Sequence, residues 1–305
     1  MGVRCLNKYL MENCKKSIYK IELSTLKNKT IAIDISIYIH RFKSEGNLIE
    51  GIFSFNILLE KYGIIPIFVF DGKTPNIKLD TINERKQNRI IAKKKYDELL
   101  ENKNPSDHHT LTKLKRDFIK ITTQDMRDVK NLLITQNKYY INAEGEADYL
   151  CAKLVNDGVA YACMSEDTDM FVYGCRYVLR YLSLINKTVI LYDFEYILDE
   201  LNVTNEEFKT VCILTNNDYN NKQQNSLWKL MDYIKMYKNN IDRGSLLDYI
   251  INISDININS KQFNNIYKLY TLDNVIIKKK DVYIERECES SVIELLSSHN
   301  FVYIG

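Results

Sequence analysis

The chain has 305 residues, 45% of them hydrophobic and 27% charged, which is enough to bury a substantial core as one large domain or two closely joined ones. Lys and Arg number 42 against 40 Asp and Glu, so an overall excess of charge cannot explain affinity for an anionic polymer, and any such affinity must come from local patches. Seven scattered cysteines with no C-x-x-C pair and no nearby His cluster exclude a zinc module and a secreted disulfide framework, and no stretch approaches the ~20 apolar residues that cross a bilayer; a soluble, intracellular protein with reduced core thiols is expected.

Taken in chain order, the first strong element is the apolar run TIAIDIS, which stops near Asp34. IIPIFVFDGK follows and stops at Asp71, and VAYACMSEDTD stops at Asp167 and Asp169. Continuous apolar runs rich in β-branched residues suit strands buried on both faces of a parallel sheet. The stretches between them are long enough and helical enough to be crossovers. The expected fold is therefore α/β with a mainly parallel twisted sheet. Ligands of such sheets gather beyond the carboxyl ends of the strands, so these aspartates are expected to converge on one crevice.

Between the second and third runs lies the most helical part of the chain, about 76 to 136, which pauses at NPSDHH. Its length predicts a helical arch or cap over the sheet. A further helix is predicted from Ala147, with Leu150, Leu154 and Val155 inward and Gly158 as its C-terminal cap. RYVLRYL and KTVILYDF, separated by SLIN, predict a hairpin at the sheet edge. Asp193 and Asp199 are read as turn and cap residues, and Thr204 and Glu207 have capping-box spacing. More helices follow, including SLWKLMDYIKMY, and there are no internal repeats. The expected organisation is a core over residues 1–200, including the arch, and a helical region over 201–305.

Two further acidic features accompany the strand-end aspartates: Glu144 and Glu146 in NAEGEADYL ahead of a helix, and Asp218 in CILTNNDYN after one. Seven carboxylates packed without cations would repel one another or stay partly protonated. Together they make sense as a hard-cation site, and ligands that are all oxygen suit Mg²⁺, with Mn²⁺ as a substitute. Two such ions about 4 Å apart stabilise the attacking and leaving oxygens of an in-line displacement at phosphorus. Asp148, inside the predicted helix, is read as solvated or, at most, as standing behind the residues that touch the ion. In the arch, Lys78, Arg85, Arg89 and Lys93 recur at seven, eleven and fifteen positions from the first, which puts them on one face of a helix.

At these residues the sequence resembles the flap endonuclease family, the structure-specific 5′ nuclease group that includes XPG-type enzymes. The resemblance runs in order from MGV through AIDIS, VFDGKTP, AEGEAD and SEDTDMFVYG to the Asp218 segment, covering roughly residues 1 to 219. It implies a PIN-like nuclease core and an Mg²⁺-dependent phosphodiester hydrolase. The implied substrates are DNA 5′ flaps, nicks or ends, in replication, recombination or repair. It assigns metal binding to Asp34, Asp71, Glu144, Glu146, Asp167, Asp169 and Asp218, and contact with the scissile phosphate to Lys78 and Arg85. His40 matches a residue that stacks on a base near the junction, and Gly2 matches the family's N-terminal glycine beside the site. Arg89 and Lys93 extend the basic stripe toward DNA.

The sequence departs from the family after Asp218, where a glycine-rich hairpin would bind the duplex backbone and this chain reads NNKQQNS. No glycine occurs between Gly174 and Gly244, leaving a degenerate helix-hairpin-helix segment in which Lys222, Lys229 and Lys235 could supply weaker phosphate contacts. The stretch from Asp34 to Asp71 is shorter than the family's. The end, SSHNFVYIG, carries no visible sliding-clamp motif. A monomer acting in the nucleus or, if viral, at a viral replication site is expected. Two alternatives stay open: a PIN-type nuclease acting on RNA, and a catalytically silent DNA-binding scaffold. Preference for flap cutting or for 5′ exonuclease action also stays open.

Overall fold

The apolar runs of the sequence become strands, and the acids stand at their ends. The computed structural model describes residues 2–73, 79–101, 108–219, 225–240, 244–254, 256, 258–273 and 276–277, without the side chains of 79–85, 108, 109 and 112. The first 25 residues hold α1 (Leu6–Asn13) and β1 (Ile18–Glu22). Next come β2 (Thr30–Asp34), α2 (Ile35–Glu45), α3 (Leu48–Lys61), β3 (Ile65–Phe70), α4 (Leu79–Glu101), α5 (His108–Phe118), α6 (Thr123–Thr135) and β4 (Tyr139–Asn142). From Ala147 onward the chain forms α7 (Ala147–Asn156), β5 (Ala162–Met164), α8 (Asp169–Val172), β6 (Tyr177–Ser183) and β7 (Thr188–Asp193). It continues as α9 (Phe194–Leu201), α10 (Asn205–Leu214), α11 (Leu227–Lys238), α12 (Leu246–Ile253) and α13 (Ser260–Leu269).

These elements form two units. The first joins the opening 25 residues to Asp148–Ile277, and the second is Leu26–Ala147. In the second unit β2, β3 and β4 pair in parallel, with Asp34 opposite Val69 and Phe70 opposite Asn142. β2 is buried at every position, as its unbroken apolar run requires. The core beside it is aromatic: Tyr38 stacks on Phe55 at 4.4 Å, and Phe55 meets Phe68 edge-on at 6.3 Å. Each fully buried phenylalanine contributes about 2 kcal/mol of transfer free energy. Gly51 lets α3 approach α2, since a Cβ there would lie 2.3 Å from Cγ of Phe42. In the first unit β5 pairs in parallel with β6, and β6–β7–β1 is antiparallel.

The α/β class and the mainly parallel pairing are as the apolar runs suggest. The hairpin of β6 and β7 forms, but β1 pairs on the outer side of β7, so β7 is not the edge. The helical stretch after NPSDHH is two helices, because Thr122 starts α6 with a capping box to Asp125. Thr204 and Glu207 make the predicted box at α10. Leu154 and Val155 are buried on α7 whereas Leu150 is half-buried, and Gly158 follows with φ +75°. Asp193 caps α9 by accepting from the Tyr196 N–H at 3.4 Å, while Asp199 lies inside that helix. Among the described cysteines none forms a disulfide; Cys14, Cys151, Cys163, Cys175 and Cys212 are buried, and Cys5 is exposed. No helix among the described residues is long and apolar enough to cross a membrane.

Candidate functional site

In the second unit, Asp34 is at once the last residue of β2 and the N-cap of α2, accepting from the Ser36 N–H at 3.1 Å. An aspartate in that position satisfies an open helix donor and faces outward from the strand end. Asp71, one residue past β3, accepts from the Ser36 hydroxyl at 2.6 Å through one oxygen and from the Ala147 N–H at 2.9 Å through the other. Ser36 therefore joins the two aspartates, and Asp71 caps the start of the helix that follows Glu144 and Glu146.

The Glu144–Glu146 loop is set beside Asp71 by backbone pairing that continues past the strand ends. The Gly72 N–H donates to the Gly145 carbonyl at 2.7 Å and the Lys73 N–H to the Glu144 carbonyl at 3.1 Å. Such closeness needs a glycine: a Cβ on Gly72 would sit 2.0 Å from the Ala143 carbonyl oxygen. Glu144 is exposed and Glu146 half-buried.

His40, half-buried on α2, sits in a mixed field. Burial lowers its imidazole pKa first, and the Arg89 charge lowers it further; Asp71 pulls it up and Lys43 down. Arg89 and Asp71 thus share the electrostatic surroundings of His40. Arg89 and Lys93 are exposed on α4, one helical turn apart. Arg85 lies on the same helix with its side chain outside the described residues, and Lys78 lies outside them altogether.

In the first unit the opening residues pass between two acidic loops. The Thr168 hydroxyl donates to the Val3 carbonyl at 3.3 Å, and the Arg4 N–H donates to the Asn216 carbonyl at 2.8 Å. Gly2 is held there with φ +78°, and a Cβ on it would lie 2.3 Å from Oδ1 of Asp167 and 2.7 Å from Oδ1 of Asp169. That gap is bordered by two carboxylate oxygens and the Thr168 hydroxyl, and a side chain would fill it. Asp167 and Asp169 are both buried, and Asp167 accepts from the Asp169 N–H at 3.0 Å.

Asp218 follows α10 in a tight loop organised by Asn217. The buried Asn217 amide donates to the carbonyls of Cys212, Ile213 and Thr215 and accepts from the Tyr219 N–H at 3.0 Å. It occupies the helix end where open carbonyls would otherwise be stranded. Behind the other acidic loop, the buried Arg180 guanidinium donates to the Glu166 carbonyl at 2.7 Å and to Oδ1 of Asn7 at 2.9 Å. Of the lysines expected near the hairpin, Lys235 is paired with Asp232 at 2.8 Å and Lys229 lies over the Tyr233 ring; Lys222 lies outside the described residues.

Asp34, Asp71, Glu144, Glu146, His40 and Arg89 thus belong to one unit, and Gly2, Asp167, Asp169 and Asp218 to the other. Among the described residues no three His, Cys, Asp or Glu side chains stand close enough to grip an ion directly. Donors that are all oxygen suit Mg²⁺, which keeps several waters and takes few protein ligands. The oxygen-lined gap at Gly2 fits the same group. Ser36, Gly72 and Thr168 lie within AIDIS, VFDGKTP and SEDTDMFVYG, but the sequence does not show what they do, and Arg180 and Asn217 are not singled out by it at all, because these roles depend on residues far away in the chain or on loop geometry.

Residues 1–92 match the family described as the XPG N-terminal domain, and residues 137–218 match the XPG I-region. A flap endonuclease 1 of Glycine max is 33% identical over 238 residues, covering 72% of this chain and 62% of that protein. One from Cryptosporidium muris is 30% identical over 247 residues, covering 72% and 52%. The chain thus spans between half and two thirds of the length of these relatives.

Among solved structures, the catalytic core of Rad2 in complex with DNA substrate superposes with a TM-score of 0.68 at 20% identity, covering 97% of this chain and 94% of that one. Human GEN1 in complex with Holliday junction DNA gives 0.66 at 18% identity, covering 98% and 74%. Flap endonuclease-1 from Methanococcus jannaschii gives 0.61 at 19% identity, covering 92% and 90%.

Proposed function

Because the chain belongs to the XPG and flap endonuclease family, we propose that it is a structure-specific 5′ nuclease that hydrolyses DNA at flaps, nicks or ends in replication, recombination or repair. One observation carries this reading. All seven carboxylates expected to bind metal fall within the two spans that match the family: Asp34 and Asp71 in the first, and Glu144, Glu146, Asp167, Asp169 and Asp218 in the second.

On this reading those residues hold two Mg²⁺ ions, directly or through water, with Mn²⁺ as a substitute. When bound, such ions supply an activated water and offset charge on the attacking and leaving oxygens. The rest is done by the chain. Ser36 and the Asp169 N–H fix the carboxylates of Asp71 and Asp167 in place, so little reorganisation is needed as charge develops. Lys78 and Arg85 hold and polarise the scissile phosphate, Arg89 and Lys93 grip flanking phosphates, and His40 stacks on an unpaired base. A neutral His40 suits that stacking, since its lowered pKa keeps the ring uncharged near pH 7. Gly2 leaves the space beside Asp167 and Asp169 open. We assign the protein to act as a monomer on DNA.

The test is cleavage of end-labelled 5′-flap, nicked and blunt DNAs, and a matched RNA flap, with Mg²⁺ or with EDTA. Junction cutting of DNA with Mg²⁺, lost in EDTA and in Asp167→Ala, is the expected result. Cutting of RNA alone, or DNA binding with no turnover on any substrate, would overturn it.

A further inference from the structure

Arg180 is a cation at 5% exposure for which the proposed chemistry has no task. Arginine is seldom buried unless its donors are paired. It stands on β6 at the point where the register with β7 shifts, between Arg180 and Ser183. The next residue, Tyr181, has φ +56°, a left-handed backbone that a bulky side chain keeps only where its surroundings hold it there. Irregularities of this kind re-aim groups of a strand. Here the Tyr181 N–H donates to the Glu166 carboxylate at 2.6 Å, toward the loop that carries Asp167 and Asp169.

The guanidinium works on the same residue from its side chain. One nitrogen donates to the Glu166 carbonyl at 2.7 Å, and Nε stands 3.6 Å from the Glu166 carboxylate. Another nitrogen donates to Oδ1 of Asn7 on α1 at 2.9 Å. Asn7 in turn donates to the Tyr181 hydroxyl at 2.9 Å and accepts from the Tyr192 hydroxyl at 2.8 Å. Glu166, Arg180, Asn7 and Tyr181 thus close a ring of polar contacts. A planar fork of donors is what such a ring requires, and the single ammonium of a lysine does not reproduce it.

The grip reaches the acidic set through one peptide group. The Glu166 carbonyl shares a plane with the Asp167 N–H, and that N–H donates to the Ser165 hydroxyl oxygen at 3.1 Å. Arg180 therefore holds the oxygen end of this plane while Ser165 holds the nitrogen end. A turn of the plane would swing the Asp167 side chain, whose Oδ1 accepts from the Asp169 N–H at 3.0 Å.

We propose that Arg180 is a positioning residue for Asp167, fixing the peptide that precedes it and so the direction in which its carboxylate faces an ion. This inference rests on the reading that Asp167 helps to hold a divalent cation. Groups that orient a metal-binding side chain commonly contribute ten- to a hundredfold to metal affinity or activity. The irregularity in β6 then has a use, since it brings a main-chain donor and a side-chain fork of neighbouring residues onto Glu166.

The experiment compares wild type, Arg180→Lys, Ser165→Ala and Asp167→Asn in the full chain. Mn²⁺ binding is read by calorimetry, Mg²⁺ dependence by flap cutting, DNA affinity in EDTA, and folding by thermal midpoint. Lysine keeps the charge and loses the fork, so half-saturating Mg²⁺ should rise about tenfold and Mn²⁺ binding should weaken to match. Excess Mg²⁺ should restore cutting, and DNA affinity in EDTA should match wild type. Ser165→Ala frees the other end of the peptide with a smaller change in volume. It should move the same readouts in the same direction, and it decides the case where Arg180→Lys does not fold. Wild-type Mn²⁺ binding in the folded variant, whatever its thermal midpoint, would overturn the proposal and leave the metal reading in place if Asp167→Asn binds weakly. Undiminished Mn²⁺ binding by Asp167→Asn would instead remove the metal reading, and the arginine proposal with it.

Discussion

At the scale of single residues, the places of the aspartates at strand ends were legible in the sequence and the groups that hold them were not. Asp34, Asp71, Asp167 and Asp169 end runs that can only be buried strands, and that pattern is local. Ser36 matters because its hydroxyl reaches a carboxylate 35 positions on, a distance along the chain that no local pattern records. Gly72 is similar: nothing nearby requires glycine, but the backbone of residues 143–144 does. Gly72→Ala should therefore be costly without touching a charged group. Pushing a carbonyl away from 2.0 Å would lower stability by about 1–3 kcal/mol, read as a shift in the urea midpoint. It should also reduce cutting by more than the unfolded fraction accounts for, because the displaced loop carries Glu144. A Gly72→Ala protein with wild-type stability and rate would show that the loop accommodates the methyl group.

At the scale of elements, long apolar runs and capped helices could be read, whereas short half-exposed strands could not. β1 reads IYKIE and β4 reads YYIN, neither alternating cleanly nor wholly apolar, and both become strands because a neighbour offers an open edge. The start of α6 has a clear physical cause. Asp125 completes the box with Thr122 and also pairs with Lys43 of α2. Burial alone would raise the Asp125 carboxyl, but hydrogen bonds from Lys43 and Thr122 outweigh it and hold the group below its ordinary value of 3.8.

A lowered folded pKa means that the unfolded chain takes up the proton first. The stabilisation is therefore complete above the ordinary value and drains away as pH falls through the lower folded one. Asp125→Asn should accordingly flatten the fall in stability below roughly pH 4, and Thr122→Ala should cost about 1 kcal/mol. Thermal melts across that range would settle both, and an unchanged pH slope in Asp125→Asn would rule out the linkage. On α4, replacing Arg89 and Lys93 with alanine should weaken DNA binding uniformly across sequences and reduce the slope of log affinity against log salt by about 2. A slope identical to wild type would mean that those side chains face water alone.

At the scale of the whole molecule, the net charge of +2 leaves little general attraction for an anionic polymer, so the proposed DNA binding would depend on where the charges are set. The opening 25 residues join Asp148–Ile277 through contacts such as Arg4 with Asn216, more than two hundred positions apart. If the acids hold cations only in the folded state, Mn²⁺ should raise the thermal midpoint, by about 2.7 kcal/mol of added stability at a hundredfold excess over its dissociation constant. Asp167→Asn should lose most of that gain, and equal gains in both proteins would place the ion elsewhere.

β1 bears on a different property. Among the described residues it pairs only with β7, so its far side is a row of open backbone groups of the kind on which other chains can add. Its exposed positions include Lys20 and Glu22, and a second strand laid alongside would have to strip water from both. Colloidal behaviour at high concentration is thus governed by two side chains with no part in the chemistry, and crystallisation or storage conditions that screen charge will act there first.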